Sequence, residues 1–361
     1  MSNKIKYFLA SNTKRGFHPL FEDIRKPEEG NHFYILKGGP GSGKSSLMNR
    51  ISKALEDKGH KIDYFPCASD PNSIDGILDY NAKVAIVDGT APHVMDPLCP
   101  GAYDTIINMG EDWDKEHLRK NKDDIIEISK NKTNSHKAAT SCIKSASLLL
   151  EENMKMSRKF INQSAIDAWT KRLSKELSQG TDKSYPSWLG LEQKRLLSAV
   201  SVGKTVFFED TLKSLCPKLY VIDDDWGSAS NLLLSQIRKY ALDNSIPVTT
   251  CYCSIRTPDK IDHLIFSSLG IGFTNSNSFH TVNKDQTISI YGLINKMNNN
   301  ISSTMRRNLS SARQLINTAS NHISQAKKLH DDLEKYYVTA MNFDKVDKIY
   351  DRIINEILEF K

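Results

Sequence analysis

His32-Phe33-Tyr34-Ile35-Leu36-Lys37-Gly38-Gly39-Pro40-Gly41-Ser42-Gly43-Lys44-Ser45-Ser46-Leu47-Met48 decides the reading of this chain. Its first five residues read as a buried strand. The eight from Gly38 to Ser45 complete the pattern G-x-x-x-x-G-K-[ST], a Walker A phosphate-binding loop. Beyond it Leu47, Ile51 and Leu55 recur at helical spacing, with Gly59 as a stop. Strand, loop and helix are the context that this loop needs. Glycines turn the backbone so that successive N–H groups face one anion, and the helix adds its positive end. Gly39, Pro40, Gly41, Ser42, Gly43, Lys44, Ser45 and Ser46 are therefore the expected nucleotide contacts. Lys44 would reach the β- and γ-phosphates, and Ser45 would ligate Mg²⁺. A second Mg²⁺ anchor belongs at the end of a neighbouring strand. Val84-Ala85-Ile86-Val87-Asp88 supplies one, with Asp88 as the Walker B carboxylate.

The chain has 361 residues, enough for two domains with a core each. Its net charge of +6 is mild and spread among acidic residues. It lacks the basic stripe of a dedicated nucleic-acid binder, and a nucleic-acid partner is not supported. Six cysteines (Cys67, Cys99, Cys142, Cys216, Cys251 and Cys253) lack zinc-site spacing and fit a reducing compartment. Tyr7-Phe8-Leu9-Ala10 is too short for the apolar part of a secretory signal, and no apolar run reaches membrane-span length. A cytoplasmic protein without membrane contact is expected.

The chain also reads as one unit written twice. Phe8-Leu9-Ala10-Ser11, Gly16 and Leu20-Phe21-Glu22-Asp23 return as Leu196-Leu197-Ser198-Ala199, Gly203 and Phe207-Phe208-Glu209-Asp210. Tyr34-Ile35-Leu36 returns as Tyr220-Val221-Ile222, and Leu47, Met48 and Ile51 as Leu233, Leu234 and Ile237. Ile62-Asp63-Tyr64-Phe65-Pro66-Cys67 matches Val248-Thr249-Thr250-Cys251-Tyr252-Cys253. Ser73-Ile74-Asp75 matches Lys260-Ile261-Asp262, and His93 matches His280. The loop itself is eroded in the second copy. Asp224-Asp225-Trp226-Gly227-Ser228-Ala229-Ser230-Asn231 stands there, with Ser230 for the lysine and Asn275 for Asp88. Asp223, Asp224 and Asp225 would repel a triphosphate. The second copy reads as a pseudo-site; the alternative is that the aspartates hold a cation.

Each copy runs on into helix. Met305, Leu309, Ala312, Ile316, Ala319, Ile323, Ala326, Leu333, Tyr337 and Ala340 keep a 3-4 spacing. After Asn342, with Asp344 as cap, Val346, Ile349, Ile353 and Ile357 share one face of a further helix. In the first copy residues 125–160 are mainly helical. Ile166, Trp169, Leu173 and Leu177 line the next helix, and Asp167, Arg172 and Glu176 match Asp347, Arg352 and Glu356. The arms either cap their own domains or pack on each other and carry a conformational signal. The expected fold is α/β, with two tandem P-loop NTPase-like domains of mainly parallel sheet and flanking helices. The first domain spans 1–178 with its arm at about 111–178, and the second spans 194–361 with its arm at about 296–361. The polar stretch 179–193 links them.

With Tyr7-Phe8-Leu9-Ala10-Ser11-Asn12-Thr13, the Gly38 to Ser45 loop, Ser73-Ile74-Asp75-Gly76, Val87-Asp88-Gly89-Thr90-Ala91-Pro92-His93 and Pro100-Gly101-Ala102 in view, a resemblance can be stated. The chain resembles uncharacterised bacterial tandem P-loop proteins, mostly from Firmicutes, labelled only as ATPases. The first half resembles them closely and the second loosely. The resemblance implies ATP binding and little else.

The leading expectation is an ATPase with one active, Mg²⁺-dependent site in the first half. Thr90 or His93 senses the γ-phosphate or positions water, and His93 is either the base or a structural histidine. Asp70 and Asp75 either face an acceptor or cap their loop. The alternatives are a nucleotide-gated scaffold that binds a protein partner through its arms, and a small-molecule kinase. ATP is not separated from GTP, because Asn131-Lys132-Thr133-Asn134 lies in the arm and lacks the Asp of a guanine-reading motif. The halves are expected to meet as an intramolecular pseudo-dimer, with Arg238 or Arg256 as a trans cation.

Overall fold

The computed structural model describes residues 4–111, 113–179, 187–256 and 260–359. Residues 180–186 of the expected linker lie outside the described residues.

The first copy contains β1 (Ile5–Lys6), the hairpin β2 (Ala10–Thr13) and β3 (Gly16–Pro19), β4 (His32–Lys37), α1 (Lys44–Glu56), β5 (Ile62–Pro66), β6 (Ile74–Asp79), β7 (Val84–Asp88) and β8 (Asp104–Asn108). Its arm is α2 (Lys115–Lys120), α3 (Lys122–Arg158) and α4 (Gln163–Gln179). The second copy contains β9 (Glu192–Arg195), the hairpin β10 (Ser198–Val200) and β11 (Thr205–Phe207), α5 (Glu209–Leu215), β12 (Lys218–Asp223), α6 (Ser228–Asp243), β13 (Val248–Tyr252), β14 (Ile261–Phe266), β15 (Ile271–Ser276) and β16 (Ile288–Ile290). Its arm is α7 (Asn299–Thr339) and α8 (Phe343–Glu359).

Each copy builds a six-stranded sheet, ordered β1-β5-β6-β7-β4-β8 and β16-β12-β15-β14-β13-β9. Read strand for strand, the two orders are the same. Both sheets are mixed rather than mainly parallel: β6 runs antiparallel to β5 and β7, as β14 does to β13 and β15. The sequence reading missed β6 because a seven-residue connection suffices for an antiparallel return, so no crossover helix announces it.

The central strands are buried on both faces, which is why they read as continuous apolar runs. Along β4, Phe33 and Ile35 point into a core shared with Leu219 and Val221 of β12, while Tyr34 and Leu36 face Leu47, Ile51 and Leu55 of α1. The two sheets therefore cover one common core between them. Between the two copies Phe8 and Leu196, equivalent positions of the repeat, bond reciprocally. Phe8 N donates to Leu196 O at 2.8 Å, and Leu196 N donates to Phe8 O at 3.1 Å. Equivalent residues meeting each other is the geometry that a twofold axis imposes. The Phe8 ring stacks on Phe208 at 4.5 Å.

The arms pack on each other and then cross over. α3 and α7 run antiparallel, with Asp124 bonded to Tyr336 near one end and Asn153 to the Met305 carbonyl near the other. Ala139, Ala146, Ala312 and Ala319 let the helices approach closely between Ile143, Leu150, Ile316 and Ile323. α8 then packs on α1 of the first copy, burying Val346, Ile353 and Ile357 there. α4 packs on the second copy, burying Ile166, Leu173 and Leu177. Asn342, not Asp344, caps α8, since its Oδ1 accepts from Asp344 N at 3.2 Å. No helix among the described residues is long and apolar enough to cross a membrane.

Candidate functional site

The 38–45 loop connects the end of β4 to the start of α1. Gly41 and Gly43 have φ of +68° and +84°, which L side chains rarely adopt. Space demands glycine as well. A Cβ on Gly41 would lie 2.8 Å from Val338, and one on Gly39 would lie 3.1 Å from the Tyr337 ring. Lys44 Nζ donates to the Gly38 and Gly39 carbonyls at 2.7 and 2.8 Å and lies 3.6 Å from Asp88 Oδ2. Asp88 ends β7, the neighbour of β4. Thr90 binds both: its N donates to Asp88 Oδ1 at 2.8 Å, and its Oγ1 to the Gly38 carbonyl at 2.9 Å. Ser45 Oγ accepts from Ile74 N at 3.1 Å. Ser42 Oγ donates to the Gly39 carbonyl at 2.9 Å, and Ser46 is exposed on the first turn of α1. Lys44, Ser45, Asp88 and Thr90 thus gather at one place. The arrangement offers an ammonium, a carboxylate and a hydroxyl beside a helix N-terminus.

His93 has other company. Its Nε2 lies 3.2 Å from Asp75 Oδ2, and its ring packs against Phe17 and Phe21 at 4.8 and 5.3 Å. Burial pushes the Asp75 carboxyl up to about 6; His93 pulls it down and the Asp88 charge pushes it up. The Cys67 thiol lies within 4.8 Å of the same carboxylate and also pulls it down. Asp70 accepts from Asn72 N within its own loop and pairs with Lys327 of α7 at 3.2 Å, as a loop cap tied to the arm.

Sequence reasoning missed the groups that the two arms bring. The turn between α7 and α8 lies on the 38–45 loop, and Trp113 and Tyr337 flank Gly39. The Glu334 carboxyl is held below its usual range by His330, at 3.5 Å, and by the Gly41 N–H. Burial lowers the Lys132 ammonium, Glu334 raises it and Lys44 lowers it, which places Lys132 of α3 within electrostatic reach of the loop. Both residues sit outside the apolar seam, where only knowledge of the arm pairing would have marked them.

The second copy fills its own loop. α6 starts two residues earlier in register than α1, at Ser228. Asp224 Oδ1 accepts from the N–H groups of Trp226 and Gly227 at 3.0 and 2.9 Å, and its Oδ2 from Ser230 N at 2.9 Å. The three aspartates do not form a repelling cluster or a cation site. Asp223 pairs with Lys284, and Asp225 accepts from Ser278 N and Oγ. Neither proposed trans arginine serves the first copy. Arg238 forks onto Glu192 at 2.6 and 2.5 Å, and Arg256 lies buried against Gly227.

Fold and site together define a two-sheet α/β protein with a glycine-rich strand-to-helix loop. A family model described as Nephrocystin 3, N-terminal, matches residues 17–82, a minor part of the chain that holds β4, the 38–45 loop, α1, β5 and β6. This match does not confirm the resemblance to the bacterial tandem family. Searches of the curated proteins and of the solved structures returned no match.

Proposed function

We infer that the first half binds ATP with Mg²⁺ at the 38–45 loop and hydrolyses it, while the second half binds no nucleotide. The observation that carries this reading is the meeting of Lys44, Asp88 and Thr90 on a glycine-rich loop at a helix N-terminus. Gly39, Pro40, Gly41, Ser42, Gly43 and Ser46 line the phosphate path. Ser45 Oγ and Asp88 Oδ2 are hard oxygen donors that suit Mg²⁺; Ser45 Oγ accepts one N–H, and the Thr90 N–H goes to the other Asp88 oxygen, Oδ1. Bound there, Mg²⁺ would neutralise charge on the phosphates. Lys44 would leave the loop carbonyls for phosphate oxygens, and Thr90 would sense the terminal phosphate.

The test is calorimetry with ATP–Mg²⁺, followed by phosphate release without any acceptor. One site per chain is expected. Lys44→Ala should weaken binding by on the order of a hundredfold, through loss of a charge-assisted contact. Ser230→Ala should leave binding unchanged. Two equivalent sites, or binding that survives Lys44→Ala, would overturn the reading.

A second reading, a nucleotide-gated scaffold with little turnover, is favoured by one observation: the α7–α8 turn lies on the loop. Nucleotide entry then moves the arm, and the α3–α7 pair presents the change to a protein partner. Tight binding without acceptor-free turnover would select this reading or a kinase, and an added acceptor separates those two.

A further inference from the structure

Cys67 follows β5, Asp75 lies in β6 and His93 follows β7, so the sheet order brings all three to one end of adjacent strands. One ligand atom from each lies within 4.8 Å of the other two. Asp75 and His93 are buried, and His93 Nδ1 has no hydrogen-bond partner. Two ligands bound at tetrahedral zinc stand about 3.4 Å apart, as bond lengths of about 2.0–2.2 Å require. Asp75 Oδ2 and His93 Nε2 stand 3.2 Å apart.

The repeat supplies an independent observation. In the second copy Asp262 and His280 occupy the matching positions, and a cation is built in. The Lys260 ammonium pairs with the Asp262 carboxylate, buried beside it. With its amide turned to suit its neighbours, Asn275 also accepts from Lys260 Nζ, at 3.1 Å. The first copy has Ser73 where the second has Lys260. The same buried acid and imidazole are therefore left without the lysine, and a thiol stands beside them.

The geometry points to a divalent-metal site of the zinc class, held by Cys67 Sγ, an Asp75 carboxylate oxygen and a His93 ring nitrogen, with water in the fourth position. One sulfur, one nitrogen and one oxygen select zinc over Mg²⁺, which takes oxygen alone. Three protein ligands leave the metal open to a further ligand. The site does not rest on the nucleotide reading, whose Mg²⁺ would use Ser45 and Asp88.

The full chain would be loaded with Zn²⁺ or Co²⁺ in Mg²⁺ buffer, desalted, and assayed for metal by mass spectrometry. One metal per chain is expected. The Co²⁺ form should show a thiolate charge-transfer band and visible bands of tetrahedral strength. Cys67→Ser should remove the charge-transfer band, and His93→Gln should weaken Zn²⁺ binding at least tenfold. Cys142→Ser should change neither. Circular dichroism reports whether each variant folds. If a variant does not, X-ray absorption of the wild-type zinc form decides: one sulfur at about 2.3 Å with nitrogen and oxygen at about 2.0–2.2 Å supports the site. No retained metal, a charge-transfer band that survives Cys67→Ser, or a shell without sulfur would overturn it.

Discussion

Tyr34, on β4 of the first sheet, donates a 2.7 Å hydrogen bond to Glu356 in the last helix of the chain. Its repeat counterpart Tyr220 does the same to Glu176 at 2.5 Å. Each copy thus places its final helix on the other, and the exchange is reciprocal. A shared central core and two exchanged helices tie the halves to each other, and the two are expected to unfold together.

A fragment ending at residue 187 should therefore not fold. It lacks the Val346, Ile353 and Ile357 face that covers α1, and the second-copy side of the common core. Burial of three such side chains contributes about 5 kcal/mol or more, comparable to the stability of a whole domain. Circular dichroism and thermal melting would check this. A cooperative melt at the full-length temperature would show that the exchanged helices are dispensable.

Asp88→Asn is expected to reduce ATP turnover by on the order of a hundredfold while changing nucleotide affinity little. The carboxylate acts on charge that develops in the transition state, whereas the loop amides supply ground-state contacts. Equal losses in kcat and in affinity would remove Asp88 from that role.

Asp224→Ala should destabilise the protein by on the order of 3 kcal/mol, because buried N–H groups lose their acceptor. Three backbone donors depend on this one carboxylate. Asp224→Asn, which keeps one oxygen, should cost less than the alanine change. Urea unfolding measures both. Neither variant should gain nucleotide binding, since Ser230 still stands in place of the lysine.

Glu334→Gln should tighten nucleotide binding several-fold, because the wild-type carboxylate lies where phosphate charge would approach. His330 and the Gly41 N–H hold its pKa below the usual range. The carboxylate therefore stays ionised through mildly acidic pH, and the difference between variant and wild type should persist from pH 7 to pH 5. It should shrink only below that, as the carboxyl takes up its proton. Titrations at both pH values check this; equal affinities at pH 7 would place Glu334 outside the site.

Much of this was legible in the chain. The glycine pattern marked the loop, because positive φ and close approach at Gly41 admit no side chain. The repeat was legible because apolar runs of central strands, such as Tyr34-Ile35-Leu36 and Tyr220-Val221-Ile222, are constrained on both faces. The heptad seam of α7 was legible in the same way, from Met305 to Leu333. Strand direction was not, since an apolar run carries no sense of direction and β6 returns without a crossover.

The sequence by itself determined the loop with its flanking strand and helix, the helical arms, the duplicated unit and the erosion of the second loop, because these depend on backbone freedom and on periodic burial within a few residues. Only the tertiary structure decided that α8 covers α1, that Glu334 and Lys132 come to the first loop, and that Asp224 and Lys260 occupy the second copy from within. Those are meetings of residues far apart in the chain. An amphipathic face records that something must cover it, and it does not record which copy does so.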